Sequence, residues 1–212
     1  MNEYKIFFLG STNSGAKTSL CKRIVYNTFN ERTIVTSGAE LLNKVIQTKF
    51  GEIKLKLWDA AGQDRFKTNS ILYMKDSNCI ILGYDVTDRV SFESNKGHYG
   101  WYNIIKDNID INNVLIYLIG NKIDLVEKRV ISDEEEKSLA NDLNMKYFSV
   151  SAKTGEGVDI LLDNIVNSLL KNFQKKNLKK KIIKKMQIKM IKNKEIFNFN
   201  KMKLIIVKIK IF

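Results

Sequence analysis

The sequence predicts a three-layer α/β domain: a mostly parallel sheet of about six strands, one of them antiparallel, with helices on both faces. Three observations lead there. Short apolar runs at Lys5–Leu9, Cys79–Asp88, Val114–Gly120 and Lys146–Val150 alternate with stretches of helical spacing, as buried parallel strands and their crossovers do. Each run passes directly into a polar loop, so the loops gather at the C-terminal ends of the strands. Between the first two runs, Leu41–Phe50 and Ile53–Leu57 alternate apolar and polar residues about Gly51, a hairpin suited to an antiparallel edge.

Composition narrows the function classes. A chain of 212 residues holds one domain with a stretch left over. Cys21 and Cys79 give no disulfide framework, and the single histidine, His98, excludes chemistry built on several histidines. No run of about 18 apolar residues is present for a membrane span, and the first residues lack a signal-peptide layout. Charge is uneven. Residues 171–212 carry 15 Lys and one acid, Glu195, whereas the preceding 170 residues hold 21 basic and 22 acidic ones. The basic balance therefore belongs to a tail, and a nearly neutral body argues against specific nucleic-acid binding. Proline is absent, and Lys, Asn, Ile and Phe are abundant, which is read as compositional bias.

Taken in order, the first strand runs into Gly10-Ser11-Thr12-Asn13-Ser14-Gly15-Ala16-Lys17-Thr18-Ser19-Leu20. A strand, a small-residue loop and a helix opening with Lys-Thr make a cradle of backbone N–H groups for phosphates. Lys17 would reach the β- and γ-phosphates, and the Thr18 hydroxyl would bind Mg²⁺. A capped turn before a helix is the plain alternative. The loop departs from G-x-x-x-x-G-K-[ST]: either Ala16 stands where the last glycine belongs, or it is inserted after Gly15. If Ala16 replaces a glycine that must approach phosphate, its Cβ obstructs the ligand.

A helix from Thr18 to about Tyr26 leads to a loop carrying Phe29 and Thr36. After the hairpin, Trp58-Asp59-Ala60-Ala61-Gly62-Gln63-Asp64-Arg65-Phe66 combines an Asp able to hold Mg²⁺, a Gly whose N–H is open to a terminal phosphate, and a Gln able to orient water. Past the Cys79 strand, Ser91 is the expected N-cap of the next helix. Gly97-His98-Tyr99-Gly100 predicts a break before Trp101, and His98 receives no catalytic role. The Val114 strand enters Asn121-Lys122-Ile123-Asp124. The Asp124 carboxylate can accept from guanine N1–H and N2–H₂, donors that adenine lacks there, and a site built for such bonds rejects the analogue by roughly 10⁴-fold. Ser132-Asp133-Glu134-Glu135 is a capping box opening an acidic helix to about Leu143. The Lys146 strand ends in Ser151-Ala152-Lys153, and a last helix from Gly157 to Leu170 buries one face, with Val158, Ile160, Leu161, Ile165 and Val166 among its apolar positions.

These motifs together resemble small GTPases of the Ras superfamily, P-loop NTPases, and most closely the Rab branch. The likeness covers residues 4–171. That family places its switch threonine nineteen positions after the phosphate lysine and twenty-three before the D-x-x-G aspartate, as Lys17, Thr36 and Asp59 stand here. The resemblance implies a GTP/GDP switch with slow hydrolysis, acting in membrane traffic from the cytoplasm and peripherally on intracellular membranes. It implies nucleotide contacts from Ser14, Gly15, Ala16, Lys17, Thr18, Ser19, Phe29, Asn121, Lys122, Asp124, Ser151, Ala152 and Lys153. Phe29 would lie on the guanine face, Asn121 would tie its loop to the phosphate loop, and the Ala152 N–H would bond guanine O6. Thr18, Thr36 and Asp59 would hold Mg²⁺, Thr36 only when the γ-phosphate is present. Catalysis would rest on Lys17, Thr36, Gly62 and Gln63, with no internal arginine finger evident. Partners would be an exchange factor, a GTPase-activating protein and effectors at the switch regions. There the family's T-I-G-V-D-F reads Thr36-Ser37-Gly38-Ala39-Glu40-Leu41, so effector identity does not carry over. A chain whose altered loop binds nucleotide poorly and acts as a static interaction module is the alternative. The expected domain is 1–171, followed by a Lys-rich tail, 172–212, either disordered or a helical extension. No cysteine follows Cys79 for a prenyl anchor. Three readings of the tail stay open: an arm for anionic membrane, a non-specific nucleic-acid binder, or translated non-coding sequence.

Overall fold

The computed structural model describes residues 1–11, 17–31, 36, 38–62, 67–98 and 100–192. Contacts divide the chain into two compact units, Met1–Val166 and Asn167–Phe212.

In the first unit, strands β1 (Asn2–Leu9), β2 (Ala39–Thr48), β3 (Gly51–Ala60), β4 (Cys79–Asp85), β5 (Leu115–Asn121) and β6 (Lys146–Val150) form one sheet in the order β2-β3-β1-β4-β5-β6. Only β2 with β3 is antiparallel. The sequence-level expectation of about six mostly parallel strands thus holds. All seven residues of β4 are buried, as suits a central strand covered on both faces, whereas β3 alternates buried Ile53, Leu55 and Leu57 with Lys54 and Lys56. The β2–β3 turn closes through Thr48, whose hydroxyl donates to the Gly51 carbonyl at 2.6 Å, and Gly51 takes the left-handed φ of +99° that favours glycine.

Helices α1 (Thr18–Tyr26), α2 (Lys67–Met74), α3 (Arg89–Glu93), α4 (Trp101–Asn108) and α5 (Asp133–Asp142) connect the strands. The chain leaves β1 toward β3 on one side of the sheet and leaves β4 toward β5 on the other. That divergence opens a crevice at the strand C-termini. Register sharpens it: Phe8 pairs with Asp59, Asp85 with Asn121, and Asn121 with Val150, so the polar loops that follow start at one level.

Two local expectations are corrected. Asp88, and not Ser91, caps α3: its carboxylate accepts from the Val90 N–H at 3.0 Å. Ser91 is buried inside that helix because its hydroxyl is claimed by the Asp85 N–H (3.0 Å) and the Asp88 carbonyl (2.8 Å). The Ser132–Glu135 capping box forms as expected. Glu136 is fully buried, its Oε2 accepting from the Ser149 hydroxyl at 2.8 Å and its Oε1 lying 3.1 Å from Arg129. Ile160, placed on the buried face of the last helix, is 68% exposed, whereas Val158, Leu161, Ile165 and Val166 are buried. The predicted helix break occurs between Glu93 and Trp101: Gly97 has φ +78°, and at Gly100 a Cβ would stand 2.2 Å from the Lys96 carbonyl oxygen.

The helix expected to end near Leu170 is α6 (Val158–Lys192), which continues through 26 residues of the second unit. Of the Lys-rich tail, residues 172–192 are helical. Residues 193–212 lie outside the described residues. No described helix is long and apolar enough to cross a membrane.

Candidate functional site

Two polar clusters occupy the edge formed by the strand C-termini. The first gathers the ends of β1 and β3 with the start of α1. Lys17 precedes α1 and is 6% exposed. Its ammonium donates to the Gly10 carbonyl at 3.0 Å and the Ser11 carbonyl at 2.6 Å. Burial pulls its pKa down to about 8, against an opposing pull from Asp59. The Thr18 hydroxyl donates to Asp59 Oδ2 at 2.6 Å, and the Thr36 hydroxyl donates to the same oxygen at 3.1 Å. The two hydroxyl oxygens are 3.0 Å apart. Residues 18, 36 and 59 are distant in sequence and meet only because β3 lies beside β1.

Asp59 is fully buried, and burial raises its carboxyl pKa, while the Thr18 hydrogen bond, Lys17 and the Thr36 hydrogen bond pull it back. Its Oδ1 has no hydrogen-bond partner among the described residues. A buried carboxylate oxygen left without a donor is costly, and a cation resolves the cost. One carboxylate and two hydroxyls are hard oxygen donors of the kind Mg²⁺ takes with phosphate and water. The three residues predicted to hold the metal therefore fit it. Thr36 stands beside both Asp59 and Thr18.

Gly62 closes this cluster. A Cβ there would stand 2.5 Å from the Lys17 ammonium and 2.7 Å from the Gly10 carbonyl oxygen, so the backbone fits only as glycine. The Ala61 N–H donates to the Gly38 carbonyl at 2.8 Å, joining the chain on either side of the hairpin. Ser14, Gly15, Ala16 and Gln63 lie outside the described residues. Ser19 is half-buried in the first turn of α1, and Phe29 is half-buried in the loop after it.

The second cluster is built by the loops after β5 and β6. Asn121 is 2% exposed, and its Oδ1 accepts from the Ala152 N–H at 2.9 Å. A buried backbone donor takes a nearby acceptor, here a side chain brought alongside by β5–β6 pairing. Lys122 adopts φ +70° and forms an ion pair with the carboxylate of Asp85. Asp124 Oδ1 accepts from the Ser151 hydroxyl at 2.6 Å, which in turn accepts from the Thr154 N–H at 3.0 Å. Lys153 reaches Glu31, on the loop that carries Phe29, at 3.1 Å.

Residues 5–171 match the Ras family model. The chain is 39% identical over 166 residues to the Ras-related protein Rab-1 of Theileria parva, covering 78% of this chain and 74% of that protein. It is 37% identical over 170 residues to the Ras-related protein RabJ of Dictyostelium discoideum, covering 80% and 64% respectively. Rab-1 of Theileria annulata is 38% identical over 166 residues, with shares of 78% and 74%. The chain is a Rab-type small GTPase of the Ras family.

For this GTPase, the structure adds contributors that the motifs did not reveal. Arg23, Glu31 and Asp85 each contact a motif residue from outside the motifs. Arg23 in the last turn of a helix passes for an ordinary partner of the helix dipole, and nothing local announces a target about 130 residues away.

Proposed function

We propose that this Rab-type GTPase is a GTP/GDP switch with slow intrinsic hydrolysis, acting in membrane traffic on the cytoplasmic face of intracellular membranes. The observation that carries the reading is the pair of clusters on one sheet edge. Lys17, Thr18, Thr36 and Asp59 supply charge and hard oxygen donors at one end. Asn121, Asp124, Ser151 and Ala152 supply a fixed hydrogen-bonding frame at the other. A nucleoside phosphate spans such a site with its phosphates on Lys17 and its base on Asp124.

In this reading Thr18, Thr36 and Asp59 hold Mg²⁺, which when bound neutralises charge on the phosphate oxygens. Lys17 stabilises charge between the β- and γ-phosphates, and the Gly62 N–H holds the γ-phosphate. Gln63 aligns the attacking water. An exchange factor, a GTPase-activating protein and effectors act at the switch segments around Thr36 and Gly62. The 15 Lys of residues 171–212 add attraction to an anionic membrane surface, about 1 kcal/mol per Lys near the lipid.

The test is Mg²⁺-dependent binding of fluorescent GDP and GTP to the full chain, with ATP as competitor, followed by single-turnover hydrolysis. Tight guanine binding that ATP does not displace, with slow phosphate release, supports the switch. A folded chain that binds no guanine nucleotide sinks it and leaves the static interaction module. Co-sedimentation with phosphatidylserine vesicles tests the membrane arm, and no binding at low salt sinks that part alone.

A further inference from the structure

Arg23 sits in the last turn of α1, the helix whose first residues serve the phosphate cluster. Its side chain crosses to the other cluster. The Nε donates to the Ala152 carbonyl at 2.8 Å, and one terminal nitrogen donates to the Lys153 carbonyl at 2.6 Å. The other terminal nitrogen donates to the Asn27 carbonyl at 2.9 Å and to Asn27 Oδ1 at 3.0 Å. Among the described residues, no carboxylate pairs with this guanidinium. An arginine that meets four neutral oxygens and no acid is acting through its rigid fork of donors, more than through its charge.

What the fork holds follows from peptide geometry. The Ala152 carbonyl and the Lys153 N–H belong to one planar trans peptide, so they point in opposite directions. Gripping the carbonyl from one side aims the N–H to the other. The Ala152 N–H is already given to Asn121. Among the described residues the Lys153 N–H has no hydrogen-bond partner. It is therefore the open backbone donor of this loop, next to Ala152 and held by a second grip on its own carbonyl. The same guanidinium fixes Asn27, the left-handed residue that ends α1 and starts the segment toward Phe29.

We propose that Arg23 is a positioning residue for base recognition: it clamps the 152–153 peptide so that the Lys153 N–H faces O6 of a bound guanine. The inference rests on the guanine-nucleotide reading above. A backbone donor cannot be deleted by mutation, so the test varies the acceptor. Full-length wild type, Arg23→Ala and Arg23→Lys are loaded with GDP or with 6-thio-GDP, whose sulfur is a much weaker acceptor at that position. Dissociation rates of both nucleotides are measured at fixed Mg²⁺.

Arg23→Ala is expected to release GDP roughly tenfold faster, the scale of one lost charged hydrogen bond. It is expected to release 6-thio-GDP with a smaller change, so the wild-type preference for oxygen over sulfur shrinks. Arg23→Lys, whose ammonium lacks the fork, is expected to fall between, and it carries the comparison if circular dichroism finds Arg23→Ala unfolded. Equal acceleration for both nucleotides would mean that Arg23 only supports the fold, and the inference fails. It fails also if Arg23→Lys keeps the full wild-type preference. A folded wild type that binds neither nucleotide overturns the guanine reading, and this inference with it.

Discussion

The two ends of the site are finished to different degrees. At the base end, Asn121 holds Ala152, Asp124 holds Ser151, Lys122 holds Asp85, and Arg23 grips two carbonyls. At the phosphate end, Asp59 Oδ1 has no donor among the described residues, and the Lys17 ammonium rests on the Gly10 and Ser11 carbonyls. The contrast matches the two tasks. Discriminating a base requires donors and acceptors whose directions are set before the ligand arrives, because a mobile site would adapt to the wrong base. Holding Mg²⁺ and phosphate requires charge that the ligand itself completes, and a site completed by its ligand can respond to the loss of one phosphate.

If the ends differ in this way, mutations should divide into those that lower affinity for every nucleotide and those that change which nucleotide is preferred. The largest effect falls at the phosphate end. Lys17→Ala should weaken GDP and GTP alike by about 10³-fold, the upper range for removing one partner of a buried charge pair, as read by calorimetry. A loss confined to GTP would break the comparison. Next, Asp124→Asn should lower GDP affinity by about 10²-fold and improve xanthosine diphosphate, whose O2 accepts from an amide donor and whose base repels a carboxylate. If both nucleotides weakened equally, the base end would be acting as scaffold alone.

Gly62→Ala tests how closely the phosphate end is packed. Its Cβ would meet the Gly10 carbonyl at 2.7 Å, a backbone atom with no rotamer to escape into. Thermal unfolding should register a cost of about 1–3 kcal/mol. An unchanged melting temperature would show that the Gly10 turn yields freely.

The smallest effect is a pH response. Burial holds Lys17 at about 8 in the fold, against an ordinary 10.5 when unfolded. Between these values the unfolded chain binds more protons, so stability of the nucleotide-free protein rises as pH increases through that window. Affinity for GDP runs the other way, level below about pH 8 and falling above it as the ammonium is lost. Lys17→Met should flatten the stability trend, measured by chemical denaturation; a Lys17→Met trend parallel to wild type would assign the effect to other groups.

Much of the fold and of the site was legible in the chain. Strand runs such as Cys79–Asp85 and Leu115–Asn121 announced themselves because both faces of a central parallel strand must be apolar. Lys17, Thr36 and Asp59 were picked out because their intervals match those of the family the sequence resembles. Ser91 was misread because a serine at a helix start suits a cap, and only the folded chain shows Asp85 occupying its hydroxyl. The burial of Glu136 had no local signal, because Ser149 and Arg129, which make it tolerable, lie elsewhere in sequence.

The sequence by itself therefore determined which side chains stand at the strand ends: a lysine opening a helix, hydroxyls and carboxylates in short polar loops, and the apolar runs that carry them. These are local properties of short segments. Tertiary structure alone decided who satisfies whom. The Ala152 N–H went to Asn121, the Ala152 and Lys153 carbonyls to Arg23, and Asp59 Oδ1 to no described residue. Hydrogen-bond partners are assigned by proximity after packing, across separations of about 130 residues in the case of Arg23, and no local pattern encodes a distance of that kind.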